Sequence, residues 1–91
     1  MWSFTQKGFK MMNVIDQALL AGGKFELWLT NTKGHYKFWT ARHDGNGIVY
    51  ISYGPIGSYG KTIKKDLAYF EKTAPKKLKK GYEVYRFSQE A

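Results

Sequence analysis

Three glycines recur at three-residue spacing in the stretch YISYGPIGSYGKTIKK, which covers residues 50–65. Glycine lets backbone N–H groups approach a phosphate closely, so Gly54, Gly57 and Gly60 suit an anion-binding loop. The same spacing suits a turn between two strands, where positive φ angles favour glycine. Neither the Walker A pattern nor the dinucleotide-binding fingerprint is present. The stretch therefore predicts either a phosphate-binding loop or a tight strand-to-strand turn.

Aromatic residues within and before this stretch are candidates for stacking on a base or sugar. Tyr53 and Tyr59 can either stack on a nucleotide or pack against the sheet. In the preceding alternating segments, Trp39 shares a face with Lys37, whereas Trp28 shares one with Glu26. The lysine neighbour makes Trp39 the better surface candidate of the two tryptophans.

A dense run of lysines follows the glycines. Residues 61–80 hold eight lysines against two acidic residues, Asp66 and Glu71. A helix face that is merely solvated usually mixes glutamate with lysine. The single sign of the charge therefore favours a surface that binds a polyanion.

Catalytic and metal-binding patterns are not found. The chain has no cysteine, which excludes disulfides and thiolate metal sites, and two histidines are too few for an ordinary zinc site. Ser52 and Ser58 lack a nucleophile elbow, and the seven acidic residues form no close pair. His43-Asp44 precedes a hairpin signal and is interpreted as turn chemistry. We predict a protein that is not an enzyme and has no cofactor or metal.

The composition bounds the class of protein. A chain of 91 residues with 43% hydrophobic and 18% aromatic residues has enough apolar surface for one folded domain. The net charge of +8 points to DNA, RNA, an anionic membrane or an acidic protein as partner. No apolar run approaches the roughly 20 residues of a membrane span, so we expect a cytoplasmic protein without a membrane partner.

The hydrophobic periodicity places these residues on strands and helices. Period-two alternation predicts strands, and the Asp-Gly-Asn-Gly sequence at 44–47 predicts a hairpin turn. Period-3.6 spacing predicts two helices, the second of which is kinked or split at Pro75 because proline disrupts a helix interior. The predicted helices cover 10–21 and 66–80, and the predicted strands cover 25–30, 35–42, 48–53, 59–64 and 82–87. We therefore predict a single compact α+β domain: a small antiparallel sheet, one main C-terminal helix packed on it, and a short N-terminal helix.

Three patches in this order resemble a known family. They are KFW at 37–39, ISYGPIGSYGKT at 51–62, and FEKTAPKKLKKGYEV at 70–84. Together they make residues 24–85 similar to a WGR domain, the small β-rich module of DNA-break-sensing poly(ADP-ribose) polymerases and of various bacterial proteins. The family's Trp-Gly-Arg triplet is here Tyr53-Gly54-Pro55, so an aromatic residue is kept and the arginine is lost. The resemblance divides the chain into an N-terminal helical extension, 1–23, and a WGR-like domain, 24–91.

The resemblance implies DNA binding, with the signature aromatic packed against a terminal nucleotide and basic residues on the backbone. Together with the lysines it predicts a DNA-binding module that selects structure, such as ends, nicks or single strands, more than sequence. RNA, or an acidic protein that the chain regulates or inhibits, stays open as an alternative partner. The predicted binding residues are Lys37, Trp39, Tyr53, Gly54, Gly57, Lys61, Lys64, Lys65, Lys72, Lys76, Lys79 and Lys80.

Overall fold

A computed structural model describes residues 14–90, in which two helices and five strands form an α+β fold. All strand pairs are antiparallel, and the order across the sheet is β4-β3-β2-β1-β5. This confirms the predicted fold class. The elements are α1 Val14–Ala21, β1 Phe25–Asn31, β2 Lys37–His43, β3 Ile48–Pro55, β4 Lys61–Asp66, α2 Leu67–Lys79 and β5 Glu83–Gln89.

Both helices lie on the same face of the sheet, which we call the helix side. Alternate residues of the central strands are buried there, as the period-two pattern requires. The indole of Trp39 stacks on the ring of Phe70 from α2, with centroids 6.3 Å apart and planes 17° apart. The core on this side comprises Ile15, Ala18, Phe25, Leu27, Leu29, Trp39, Ala41, Val49, Ile51, Phe70 and Ala74.

The helix α1 belongs to this common core. Ile15 and Ala18 are buried in the same cluster as the sheet residues, and α1 contacts α2. The helix predicted over 10–21 therefore covers α1, while residues 10–13 and most of the predicted 1–23 extension lie outside the described residues. Neither described helix is long and apolar enough to cross a membrane.

The helix α2 follows β4 without a linker. The Asp66 carboxylate accepts a hydrogen bond from the Tyr69 N–H at 2.9 Å, which caps the first turn. Of the two predicted effects of Pro75, a kink or a split, the split is wrong, because α2 runs as one helix from Leu67 to Lys79. Pro75 and Glu71 are both exposed, so water can bond the carbonyl that proline leaves without its N–H partner.

Two strands begin two residues later than their apolar patterns predict. Tyr36 has a φ of 46°, which ends the turn before β2, and the strand starts at Lys37. Gly60 has a φ of 69°, and β4 starts at Lys61. Left-handed residues cannot continue a strand, and this conformation is not visible in hydrophobic spacing.

Candidate nucleic-acid interface

Parts of the three segments that resemble the WGR pattern meet at one end of the sheet. In the strand register, Lys37 pairs with Pro55, Trp39 pairs with Tyr53, and Tyr53 pairs with Lys61. The C-terminal end of α2 lies near this end of the sheet. This placement is evident from Lys77, which is close enough to Lys37 for the positive charge of Lys37 to lower its pKa. We call the cluster of Lys37, Tyr53, Lys61, Lys77 and Lys80 the basic end.

Within the basic end, the charges of Lys80 and Lys37 act on Lys77. The pKa of Lys77 lies below its usual 10.5, first because burial disfavours the ammonium and then because of the charges of Lys80 and Lys37. The ion pairs Lys33–Glu83 and Arg86–Glu26 involve no lysine of the basic end, so no carboxylate among residues 14–90 is seen to pair with it. A cluster of unneutralised cations is a site where an anion is electrostatically favoured.

The solvent face of α2 extends this positive surface. Lys72, Lys76 and Lys79 are exposed, and their spacing of four and three residues places them in one row along the helix. Lys65, at the other end of the row, lies with its Nζ 4.9 Å from the ring centroid of Tyr69. The structure therefore brings together eight of the predicted binding residues: Lys37, Tyr53, Lys61, Lys65, Lys72, Lys76, Lys79 and Lys80.

The predicted role of Trp39 as a surface stacking residue is wrong. Trp39 is 2% exposed, because the face that it shares with Lys37 is the helix side and α2 covers it. Lys37 is exposed because it is the first residue of its strand. Tyr53 is partly buried and packs against the core, with Lys61 beside it.

The glycines allow the backbone conformation of the β3–β4 turn. The Ser58 N–H and hydroxyl donate to the Pro55 carbonyl at 3.1 and 2.7 Å, and the Ile56 N–H donates to the Tyr36 carbonyl at 2.8 Å. These N–H groups are therefore occupied within the chain. Gly54, with a φ of 154°, leaves room for Gly60, since a Cβ on Gly54 would lie 2.9 Å from the Gly60 Cα. Of the two interpretations of the loop, this geometry favours the turn, with Gly57 at its tip.

The remaining predicted residue, Lys64, lies apart from the others. It pairs with Tyr50 on the sheet face opposite the helices, which we call the open face. The side chains there are only partly buried, and several form a groove with a volume of about 750 Å³. The helix-side surface and the open face are thus two separate surfaces.

The open face holds aromatic residues that are not among the predicted binding residues. Trp28 lies on it under the Arg86 guanidinium, 5.0 Å from the ring centroid, and Arg42 lies 5.3 Å from the Tyr50 centroid. Tyr59 is also part of the groove and is fully exposed, so the interpretation of Tyr59 as a packing residue is wrong. The alternation of Glu26, Trp28 and Thr30 in the sequence already indicated that Trp28 shares a sheet face with polar residues. Among residues 14–90 no three histidine or acidic side chains are grouped to hold a metal ion.

Comparisons with known proteins place the fold. No family model matches the chain, and no curated protein matches it. A solved structure of a protein from Bacteroides fragilis is similar, with a TM-score of 0.51 and 30% sequence identity. The similarity covers 67% of this chain and 19% of the Bacteroides protein, so the matched segment spans about a fifth of that protein's length.

Proposed function

We propose that this chain is a divergent WGR-like module that binds nucleic acid, DNA in preference to RNA, through the basic end and the lysine row of α2. The observation that carries the proposal is that Lys37 and Lys61 flank Tyr53 in the strand register, and that the end of α2 brings Lys77 and Lys80 within electrostatic reach of Lys37. No described carboxylate pairs with these lysines. These residues come from β2, β4 and the end of α2, so folding is what gathers the charge. If the lysines of α2 served only to keep the helix solvated, there would be no reason for lysines of β2 and β4 to lie at the same place.

The chemistry of the surface favours backbone contact over base reading. Lysine ammonium groups neutralise phosphates, and the release of counterions makes such binding depend on salt. The described residues that form the basic end are four lysines and a tyrosine, not the exposed arginine and asparagine side chains that read base edges. Tyr53 supplies the aromatic beside which a terminal nucleotide would lie, as the WGR resemblance implies. The module accordingly selects the form of the nucleic acid, such as an end or a nick, and not its sequence.

The test removes one charge from the surface and compares it with a lysine at the far end of the sheet. Lys80→Ala is expected to weaken binding to a fluorescent duplex and to reduce the magnitude of the log–log salt slope by about 0.9, the value for one phosphate contact. Lys24→Ala is the matched control, because Lys24 lies beside Gly45 at the opposite end of β1 and β2. Fluorescence anisotropy at several salt concentrations measures both quantities.

Equal effects of the two substitutions, or none, would refute a localised site. The alternative partner, an acidic protein, predicts a different result: no duplex binding at low salt, and capture of a protein partner that survives nuclease treatment. Matched DNA and RNA duplexes in the same titration decide between the two nucleic acids.

A further inference from the structure

The open face of the sheet is not covered by any element formed by residues 14–90, although it carries large apolar side chains. Trp28, Phe38 and Tyr50 lie on it from three adjacent strands, β1, β2 and β3. Tyr85 on β5 is 71% exposed and Tyr59 in the β3–β4 turn is 101% exposed, so the groove has an aromatic residue at each margin. The five strands span roughly 19 Å from β4 to β5, since neighbouring strands lie about 4.8 Å apart.

The polar groups of this face identify the kind of occupant. Two guanidinium groups lie over the aromatic rings of Trp28 and Tyr50 and extend the flat surface. Hydroxyl groups line the groove between the rings, from Thr30, Thr40, Ser52 and Thr62. Its acidic residue is Glu26, which Arg86 pairs at 2.9 Å, and Lys64 stands at the β4 side.

An aliphatic protein surface is a poor match for this face. The groove has one aliphatic residue, Ile56, and its flat rings alternate with hydroxyls and guanidinium groups. Bases offer flat π-faces for the rings and polar edges for the hydroxyls, and phosphates complement the arginines and Lys64. The chain's net charge of +8 favours the same polyanionic partner.

We infer that the open face binds a single strand of nucleic acid, with unstacked bases lying on the exposed rings of Tyr59 and Tyr85 and on the guanidinium planes that cover Trp28 and Tyr50. This inference rests on the proposed function and names a second surface for it, on the side of the sheet opposite the lysine row of α2. Arg42 and Lys64 hold phosphates of that strand, while Ser52 and Thr62, whose hydroxyl oxygens are 2.7 Å apart, offer polar contacts to base edges. A base on an aromatic side chain stacks whatever its identity, so the face tolerates any sequence.

The test uses the double variant Tyr59→Ala with Tyr85→Ala, because both side chains are exposed and the fold does not depend on them. Fluorescently labelled dT8 and U8 are the single-stranded probes, beside a duplex. The double variant is expected to bind dT8 or U8 about tenfold more weakly than the unmodified protein, and the duplex equally well. Tyr36→Ala is the matched control, since Tyr36 is 64% exposed and lies outside the groove.

The outcomes separate this inference from the proposed function. If the double variant binds the single strands normally, or if Tyr36→Ala weakens them as much, the open face is not the site. If the protein binds the duplex in a Lys80-dependent way but neither dT8 nor U8, the inference fails and the proposed function stands. Where the double variant loses affinity and Tyr36→Ala does not, the inference is supported, and the tighter-bound of dT8 and U8 identifies the natural strand as DNA or RNA.

A second readout locates the strand directly. Addition of dT8 is expected to shift the backbone amide resonances of Thr40, Ser52 and Thr62 on the open face more than those of Lys72 and Lys76 on α2. The reverse pattern would place the single strand on the lysine row and overturn the inference.

Discussion

His43 and Asp44 hold the β2–β3 hairpin through their side chains. The buried His43 ring bonds the Gly23 carbonyl through Nδ1 at 2.7 Å and accepts the Gly47 N–H at Nε2, 3.0 Å away. The Asp44 carboxylate accepts the N–H groups of Asn46 at 2.7 Å and of Ile48 at 3.2 Å. The interpretation of this pair as turn chemistry fits these contacts, since the side chains supply acceptors that the Asp-Gly-Asn-Gly turn needs.

The Asp44 contacts predict a pH dependence of stability. Hydrogen bonds from the Asn46 backbone first, and then from Ile48, hold the pKa of Asp44 below its usual 3.8. A carboxyl with a depressed pKa stabilises the fold above its unfolded pKa, and this contribution is lost as pH falls through the folded pKa.

Asp44→Asn keeps one carbonyl oxygen as acceptor and removes the charge. The melting temperature of the unmodified protein is expected to exceed that of the variant at neutral pH, and the difference should shrink as pH falls through the folded pKa of Asp44. Circular dichroism melts across that range measure it. A constant difference at every pH would contradict the role of the charge.

The two tryptophans show what residue patterns leave undetermined. Alternation correctly predicts that Trp39 shares a face with Lys37 and that Trp28 shares one with Glu26. It does not tell which of the two faces the helices cover. That choice depends on the packing of α2 against the sheet, so the polar neighbour of each tryptophan gave the wrong answer.

At the scale of elements, the β3–β4 turn depends on close backbone approach. A Cβ on Gly60 would overlap the Tyr53 carbonyl oxygen and lie 2.6 Å from the Phe38 Cζ, in a residue whose φ is 69°. Gly57, at a φ of 97°, has nothing within 4 Å of its Cβ position. Both glycines avoid the strain of a positive φ, but at Gly60 a side chain also collides with its neighbours.

Gly60→Ala is therefore expected to destabilise the protein by about 2–4 kcal/mol, because strain and overlap combine. Gly57→Ala, the matched control, is expected to cost about 1 kcal/mol from the positive φ alone. Urea unfolding followed by circular dichroism gives both free energies. Equal losses for the two variants would mean that the close approach at Gly60 contributes nothing.

The elements themselves were largely predictable, while their assembly was not. Hydrophobic period and turn residues predict each helix and strand to within a few residues, because these signals are local. The pairing of β5 with β1 joins segments about sixty residues apart in sequence, and no local signal specifies it. The exposed edge position of β5, with a register shift beside Trp28, likewise follows only from the assembled sheet.

At the scale of the whole molecule, the positive charge of the lysine segment lies mainly on the helix side. The dense lysine segment 61–80 supplies β4 and α2, and folding adds Lys37 from the middle of the chain. The count of lysines was readable from the sequence. Their division between the helix side and the open face was not readable. It depends on which alternate residues of β4 point to each face of the sheet, and this places Lys64 on the open face. Charge alone therefore predicted a polyanion partner but not two surfaces.

The measurement that tests the central claim most directly is the salt dependence of duplex binding by the unmodified protein. If the helix side engages about five phosphates, the log–log slope of the association constant against salt is expected to be roughly −4 to −5. Anisotropy titrations between about 50 and 200 mM salt suffice to determine it. A flat slope, or no binding at the lowest salt concentration, would contradict nucleic-acid binding by this surface.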